Sequence, residues 1–106
     1  MKESNNTQSS ISSDSQMPWS IQTIPKTSDG RYLIGNVVLT EKQALIALKV
    51  AETKGDLLNT EYTKVLGYNS HSTFKKTLLR LYQLFDVTSK WQLYIAVRTL
   101  LMVEEA

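Results

Sequence analysis

The sequence predicts a mainly α-helical fold: a four-helix domain preceded by a small β-hairpin and a disordered tail. Three observations carry this. From Leu39 onward, apolar residues recur at helical spacing in four successive runs. Residues that cap helix N-termini precede those runs, and Gly55 and Gly67 close the first two. Upstream of Leu39 the pattern changes to β-favouring residues around a turn dipeptide.

Residues 1–16 are dominated by Ser, Asn and Gln, with the lone aliphatic Ile11. Such a segment buries too little apolar area to offset the entropy of ordering it, so a disordered tail is expected. In residues 17–38 a hairpin or extended segment is expected. Within "WSIQTIPKTSDGRYLIGNVVL", the Asp29-Gly30 pair is the candidate turn, because Gly accepts positive φ and Asp hydrogen-bonds its own backbone. Pro18 and Pro25 restrict the first strand to an edge.

The helical domain spans residues 39–106. "LTEKQALIALKVAETKG" opens it, with Thr40 and Gln43 at capping-box spacing and Ala44, Leu45, Leu48 and Ala51 on one face. "NTEYTKVLG" is a short second helix. Asn59 or Thr60 is its expected cap, Tyr62, Val65 and Leu66 its inward face, and Gly67 its C′ residue. The third helix starts near Ser70 or Ser72. Phe74, Leu78, Leu81 and Phe85 form its core stripe, expected to pack on Leu45, Leu48, Tyr62 and Leu66. Its opposite face shows Ser72, Lys76, Leu79, Arg80 and Gln83, flanked by Lys75. The last helix, "TSKWQLYIAVRTLLMV", is capped by Thr88 or Ser89. Its core stripe is Leu93, Ala96, Val97, Leu100 and Leu101, while Trp91, Ile95 and Met102 gather on nearly the opposite side. A helix that is apolar on two faces wants two partners.

Composition narrows function. The 106 residues suit one small domain. There is no cysteine and only one histidine, His71, so neither a catalytic triad nor a zinc site can be assembled. The glycines at 30, 35, 55 and 67 make no phosphate-binding loop. An enzyme is therefore not expected, nor is a cofactor. The start of the chain lacks the apolar stretch of a secretory signal, and no apolar run is long enough to span a bilayer, so a cytoplasmic protein is expected. The net charge is only +2, but it is unevenly placed. Residues 69–98 hold Lys75, Lys76, Arg80, Lys90 and Arg98 against Asp86 alone, a net +4, which leaves −2 for the rest. A concentration of that kind suits a phosphate-facing surface.

A short capped helix, a glycine, a tight turn and a longer helix form the helix-turn-helix pattern, whose second helix enters the DNA major groove N-terminal end first. Here that end offers Ser70, His71, Ser72, Lys75, Lys76 and Leu79. Small hydroxyls permit close approach to phosphates, and lysines add salt-dependent affinity.

Residues 39–97 also carry a set of short matches in order. They are Leu39-Thr40-Glu41-Lys42-Gln43, Asn59-Thr60-Glu61-Tyr62-Thr63-Lys64-Val65-Leu66-Gly67, Thr73-Phe74-Lys75, the run to Leu81, Phe85 and Val87, and Ser89-Lys90-Trp91-Gln92. In this the chain resembles the LuxR/GerE-type helix-turn-helix domain of bacterial transcription regulators. It departs from the family pattern in a few extra residues around Thr53 to Leu58, a longer turn before Thr73, and Leu84 where the family has a basic residue. The resemblance implies a small transcription regulator that binds duplex DNA as a homodimer. Ser70, His71, Ser72, Lys75, Lys76, Leu79, Arg80 and Lys90 would then contact DNA, and Trp91, Ile95 and Met102 on the last helix would form the dimer interface. The N-terminal segment is then the candidate contact for a regulatory protein. The alternative is a protein-interaction module on the same fold that has lost operator recognition.

Overall fold

The computed structural model describes residues 19–105, with only the backbone of residues 103–105. The expected tail, residues 1–16, lies outside the described residues, as does Pro18. The element order is β1 (Tyr32–Ile34), β2 (Val37–Leu39), α1 (Glu41–Thr53), α2 (Asn59–Val65), α3 (His71–Phe85) and α4 (Lys90–Glu105). The chain is mainly helical, with one two-stranded antiparallel hairpin. No helix among the described residues is long and apolar enough to cross a membrane.

The hairpin pairs Tyr32 with Leu39, Leu33 with Val38 and Ile34 with Val37. Its reversal is Gly35-Asn36, not the expected Asp29-Gly30. The Asp29-Gly30 pair does turn the chain, with the Thr27 N–H donating to the Arg31 carbonyl at 2.8 Å, but the ladder it closes is a single bridge between Lys26 and Tyr32. Pro25 explains why that strand stops there, since it has no N–H to offer and contributes only its carbonyl, 2.9 Å from the Leu33 N–H.

α1 is the central helix. It packs against α4, α3 and both strands. Thr40 caps it with both halves of the capping box: its hydroxyl accepts from the Gln43 N–H at 3.2 Å, and the Gln43 side chain accepts from the Thr40 N–H at 2.9 Å. Ala44, Ala47, Leu48 and Ala51 are buried as expected, but so are Ile46 and Val50 on a second face. Leu45, expected in the core, is exposed beside the Lys49–Glu52 ion pair. A helix contacted from several sides hides most of its circumference, and its remaining wet strip runs through Leu45, Lys49 and Glu52.

Neither Asn59 nor Thr60 caps α2; both lie inside the helix. Its N-cap is Leu58, which has no capping side chain; the Glu61 carboxylate accepts from the Leu58 N–H at 2.8 Å instead. Tyr62 is fully buried, Leu66 partly, and Val65 is exposed, contrary to expectation. The seven-residue helix offers room for only one deeply buried side chain.

α3 buries Phe74, Leu78 and Leu81, with Phe85 half-buried at its end. In α4, Leu93, Val97 and Leu101 are buried, joined by Tyr94. Ser89 caps α4, its hydroxyl accepting from the Gln92 N–H at 3.1 Å. The hairpin reaches α4 at Leu100, whose side chain lies against Gly35, so close that a Cβ there would come within 2.8 Å. It therefore leaves Trp91 and Ile95 uncovered.

Candidate nucleic-acid interface

The sequence closes α2 tightly. Gly67, at φ 76°, takes the left-handed C′ position. Its N–H donates to the Lys64 carbonyl at 3.1 Å and the Tyr68 N–H to the Thr63 carbonyl at 3.0 Å, the paired bonds of a Schellman motif. Three residues later α3 starts. The Ser70 hydroxyl accepts from the Thr73 N–H at 3.1 Å and shares a hydrogen bond with the Thr73 hydroxyl at 3.0 Å. The two helices are locked underneath by rings. Phe74 stacks on Tyr62 at 5.9 Å and meets Tyr68 edge-on at 5.7 Å.

The buried stripe of α3 fixes which face looks outward. Ser70, His71, Ser72, Thr73, Lys75, Lys76, Leu79, Arg80 and Gln83 are all exposed. At 3.6 residues per turn, Ser72, Lys76, Leu79 and Gln83 form a single outward line. Lys75 flanks it on one side and Arg80 on the other. Leu79, in the middle of the line, is 54% exposed. The Arg80 guanidinium donates to the Gln83 side-chain carbonyl at 3.1 Å. Lys75 and Lys76 make no ion pair among the described residues, and α3 contains no acidic residue to neutralise them.

Lys90 is placed differently. Its ammonium donates to the Leu57 carbonyl at 2.9 Å and the Asn59 side chain at 2.7 Å, and lies 5.5 Å from the centre of the Tyr62 ring. Burial lowers its pKa, against a smaller opposing pull from Glu61. It ties the start of α4 to the loop between α1 and α2 and is not brought to the α3 face.

Trp91, Ile95 and Met102 are 60%, 44% and 52% exposed. They share one stripe of α4 with Arg98, and the Trp91 ring leans on Tyr94 at 5.2 Å. This stripe is separate from the outward line of α3.

One further cation reaches the α3 end. Lys42, in the first turn of α1, sits with its ammonium 6.0 Å from the centre of the Tyr68 ring. Burial raises the pKa of the Tyr68 hydroxyl; the neighbouring Thr77 hydroxyl offsets this only in part, and no hydrogen bond of good geometry reaches the buried oxygen. Periodicity within α1 could not have found Lys42, because the contact joins α1 to the turn between α2 and α3.

Among the described residues no cluster of His, Cys, Asp or Glu could hold a metal ion. Compared with models of known protein families, with characterised proteins and with solved structures, the chain matches none.

Proposed function

We propose that this protein is a small transcription regulator with a helix-turn-helix of LuxR type, formed by α2 and α3, that binds duplex DNA as a homodimer. One observation carries the reading: the outward line of α3, Ser72, Lys76, Leu79 and Gln83, is flanked by Lys75 on one side and Arg80 on the other, and the helix holds no acidic residue. A helix lying in the major groove meets base edges along its centre and a phosphate backbone on each side. Lys75, Lys76 and Arg80 then neutralise phosphates. Ser72, Lys76 and Leu79 lie near the bases, where Leu79 suits a thymine methyl. Ser70 and His71 stand at the entry of the groove. Lys90, held by Leu57 and Asn59, drops out of the contacting set.

The test is a binding titration on duplex DNA at several salt concentrations. Wild-type affinity should fall steeply with salt. Lys76→Ala should weaken binding and flatten the slope of log K against log salt by about 0.9. Its unfolding free energy should stay within about 0.5 kcal/mol of wild type, as expected at an exposed site. Absence of binding even at low salt sinks the reading.

A second reading is favoured by a different observation, the uncovered Trp91, Ile95 and Met102. In the DNA-binding reading this stripe is the two-fold dimer contact. In the alternative, a protein-interaction module, it receives another protein. Leaving such a stripe in water costs about 25 cal/mol per Å² of apolar surface, so a cover is favourable in either case. Light scattering decides: Trp91→Ser should move the protein from dimer towards monomer with its fold intact. A wild type that is monomeric at high concentration removes the homodimer.

A further inference from the structure

We propose that Lys42 extends the DNA contact beyond α3, holding a backbone phosphate at the hollow between the start of α1 and the α2–α3 turn. The inference rests on the DNA-binding reading and adds a second helix to it.

The hollow has a volume of about 400 Å³. Leu45 and Leu66 line its apolar part, and Lys42, Asn69, Thr73 and Glu41 its polar part. Three features converge there. The first is the placement of Lys42. Its ammonium lies over Tyr68, and the Tyr68 ring is itself wedged edge-on against the buried Phe74. The lysine is thus held at the turn by a cation–π contact, which reduces the rotamer freedom an anion contact would otherwise have to freeze. The second is availability. Lys49 is engaged by Glu52 and Lys90 by Leu57 and Asn59, whereas Lys42 makes no ion pair among the described residues. The third is continuity. Thr73 lines the hollow and also stands one turn before Lys76 on α3, so the hollow opens beside the first turn of the outward face. An ammonium, a side-chain amide and a hydroxyl are the donor set that a phosphate oxygen uses.

Glu41 lines the same hollow and repels an anion. The phosphodiester of duplex DNA carries one charge per phosphate, and neighbouring contacts on α3 help to hold it there. A free phosphate dianion has no such help and meets Glu41 at full charge. The duplex backbone is therefore the occupant, and Glu41 supplies the opposite sign for the test.

The experiment is a fluorescence anisotropy titration of a labelled DNA duplex with the full chain, repeated over a range of salt. Lys42→Ala should bind several-fold more weakly at low salt, with a slope of log K against log salt shallower by about 0.9, and should melt at the wild-type temperature. Glu41→Gln should bind more tightly than wild type. Inorganic phosphate, added at constant ionic strength, should not displace the duplex; displacement would overturn the assignment to a backbone phosphate. Wild-type affinity and slope in Lys42→Ala, alongside losses in Lys76→Ala, would overturn the Lys42 contact and leave the DNA reading standing. A weaker Lys42→Ala that melts earlier with an unchanged slope would also overturn it. A wild type that binds no duplex removes both.

Discussion

Phe74→Ala should lower the unfolding free energy by about 3–5 kcal/mol, among the largest losses a single change can cause in this domain. The ring is fully buried between Tyr62 and Tyr68. Truncation removes its burial, leaves a cavity and breaks two ring contacts worth roughly 0.5–1.5 kcal/mol each. The site has little means of collapse: Tyr62 is fixed through its hydroxyl, 2.6 Å from the Thr53 hydroxyl, and by Lys90 above its ring. Against a typical total of about 5–15 kcal/mol, that is a large fraction of the stability of the domain. Urea titration measures this directly. A loss below about 1 kcal/mol would mean that the α2–α3 joint is not packed around this ring.

Gly55→Ala should cost about 2–5 kcal/mol although it adds a single methyl group. Two terms add. Gly55 has φ 69°, which costs an L-residue roughly 1–2 kcal/mol. Its new Cβ would also lie 2.8 Å from the Lys90 carbonyl oxygen and 3.0 Å from that carbonyl carbon. These are backbone atoms in the first turn of α4 and cannot swing aside as a side chain would, so crowding adds about 1–3 kcal/mol. Moving them also pulls Lys90 from the Leu57 and Asn59 oxygens. Gly67 provides the control. It too has positive φ, but a Cβ there meets nothing within 4 Å. Gly67→Ala should therefore lose only the conformational part, about 1–2 kcal/mol. Thermal melts of the two variants side by side give the comparison, and equal losses would show that the approach to Lys90 carries no energy.

Much of the helical architecture was legible in the sequence because its signals are local. Thr40, Ser70 and Ser89 cap the helices as their chemistry suggests, Gly67 ends α2, and the outward and buried faces of α3 follow from spacing alone. The same spacing argument placed Leu45 wrongly. It presumes one wet and one dry face, whereas α1 is wrapped by α3, α4 and the hairpin, so Ile46 and Val50 go inside and the apolar period loses contrast. The choice between two turn dipeptides was likewise not local. Asp29-Gly30 and Gly35-Asn36 both reverse the chain, and the second closes the longer ladder, with its Gly35 seated against Leu100 on a helix more than sixty residues downstream. At the candidate site, the exposed residues of α3 could be read from the helix itself. The placements of Lys90 and Lys42 could not, because each is set by an aromatic ring on another element.

The central position of α1 also orders the assembly of the domain in time. β1 meets β2, and α2 meets α3, between segments adjacent in sequence. Such contacts close short loops, with little entropy to overcome. The packing of α1 on α4 joins segments separated by everything from Lys54 to Ser89. Closing that longer loop costs more entropy, so α4 docking is the step expected to come last, which folding kinetics of α4 variants would check. The Lys90 bonds to Leu57 and Asn59 and the seat of Leu100 against Gly35 become available only then, so they act as latches on a completed fold rather than as guides to it.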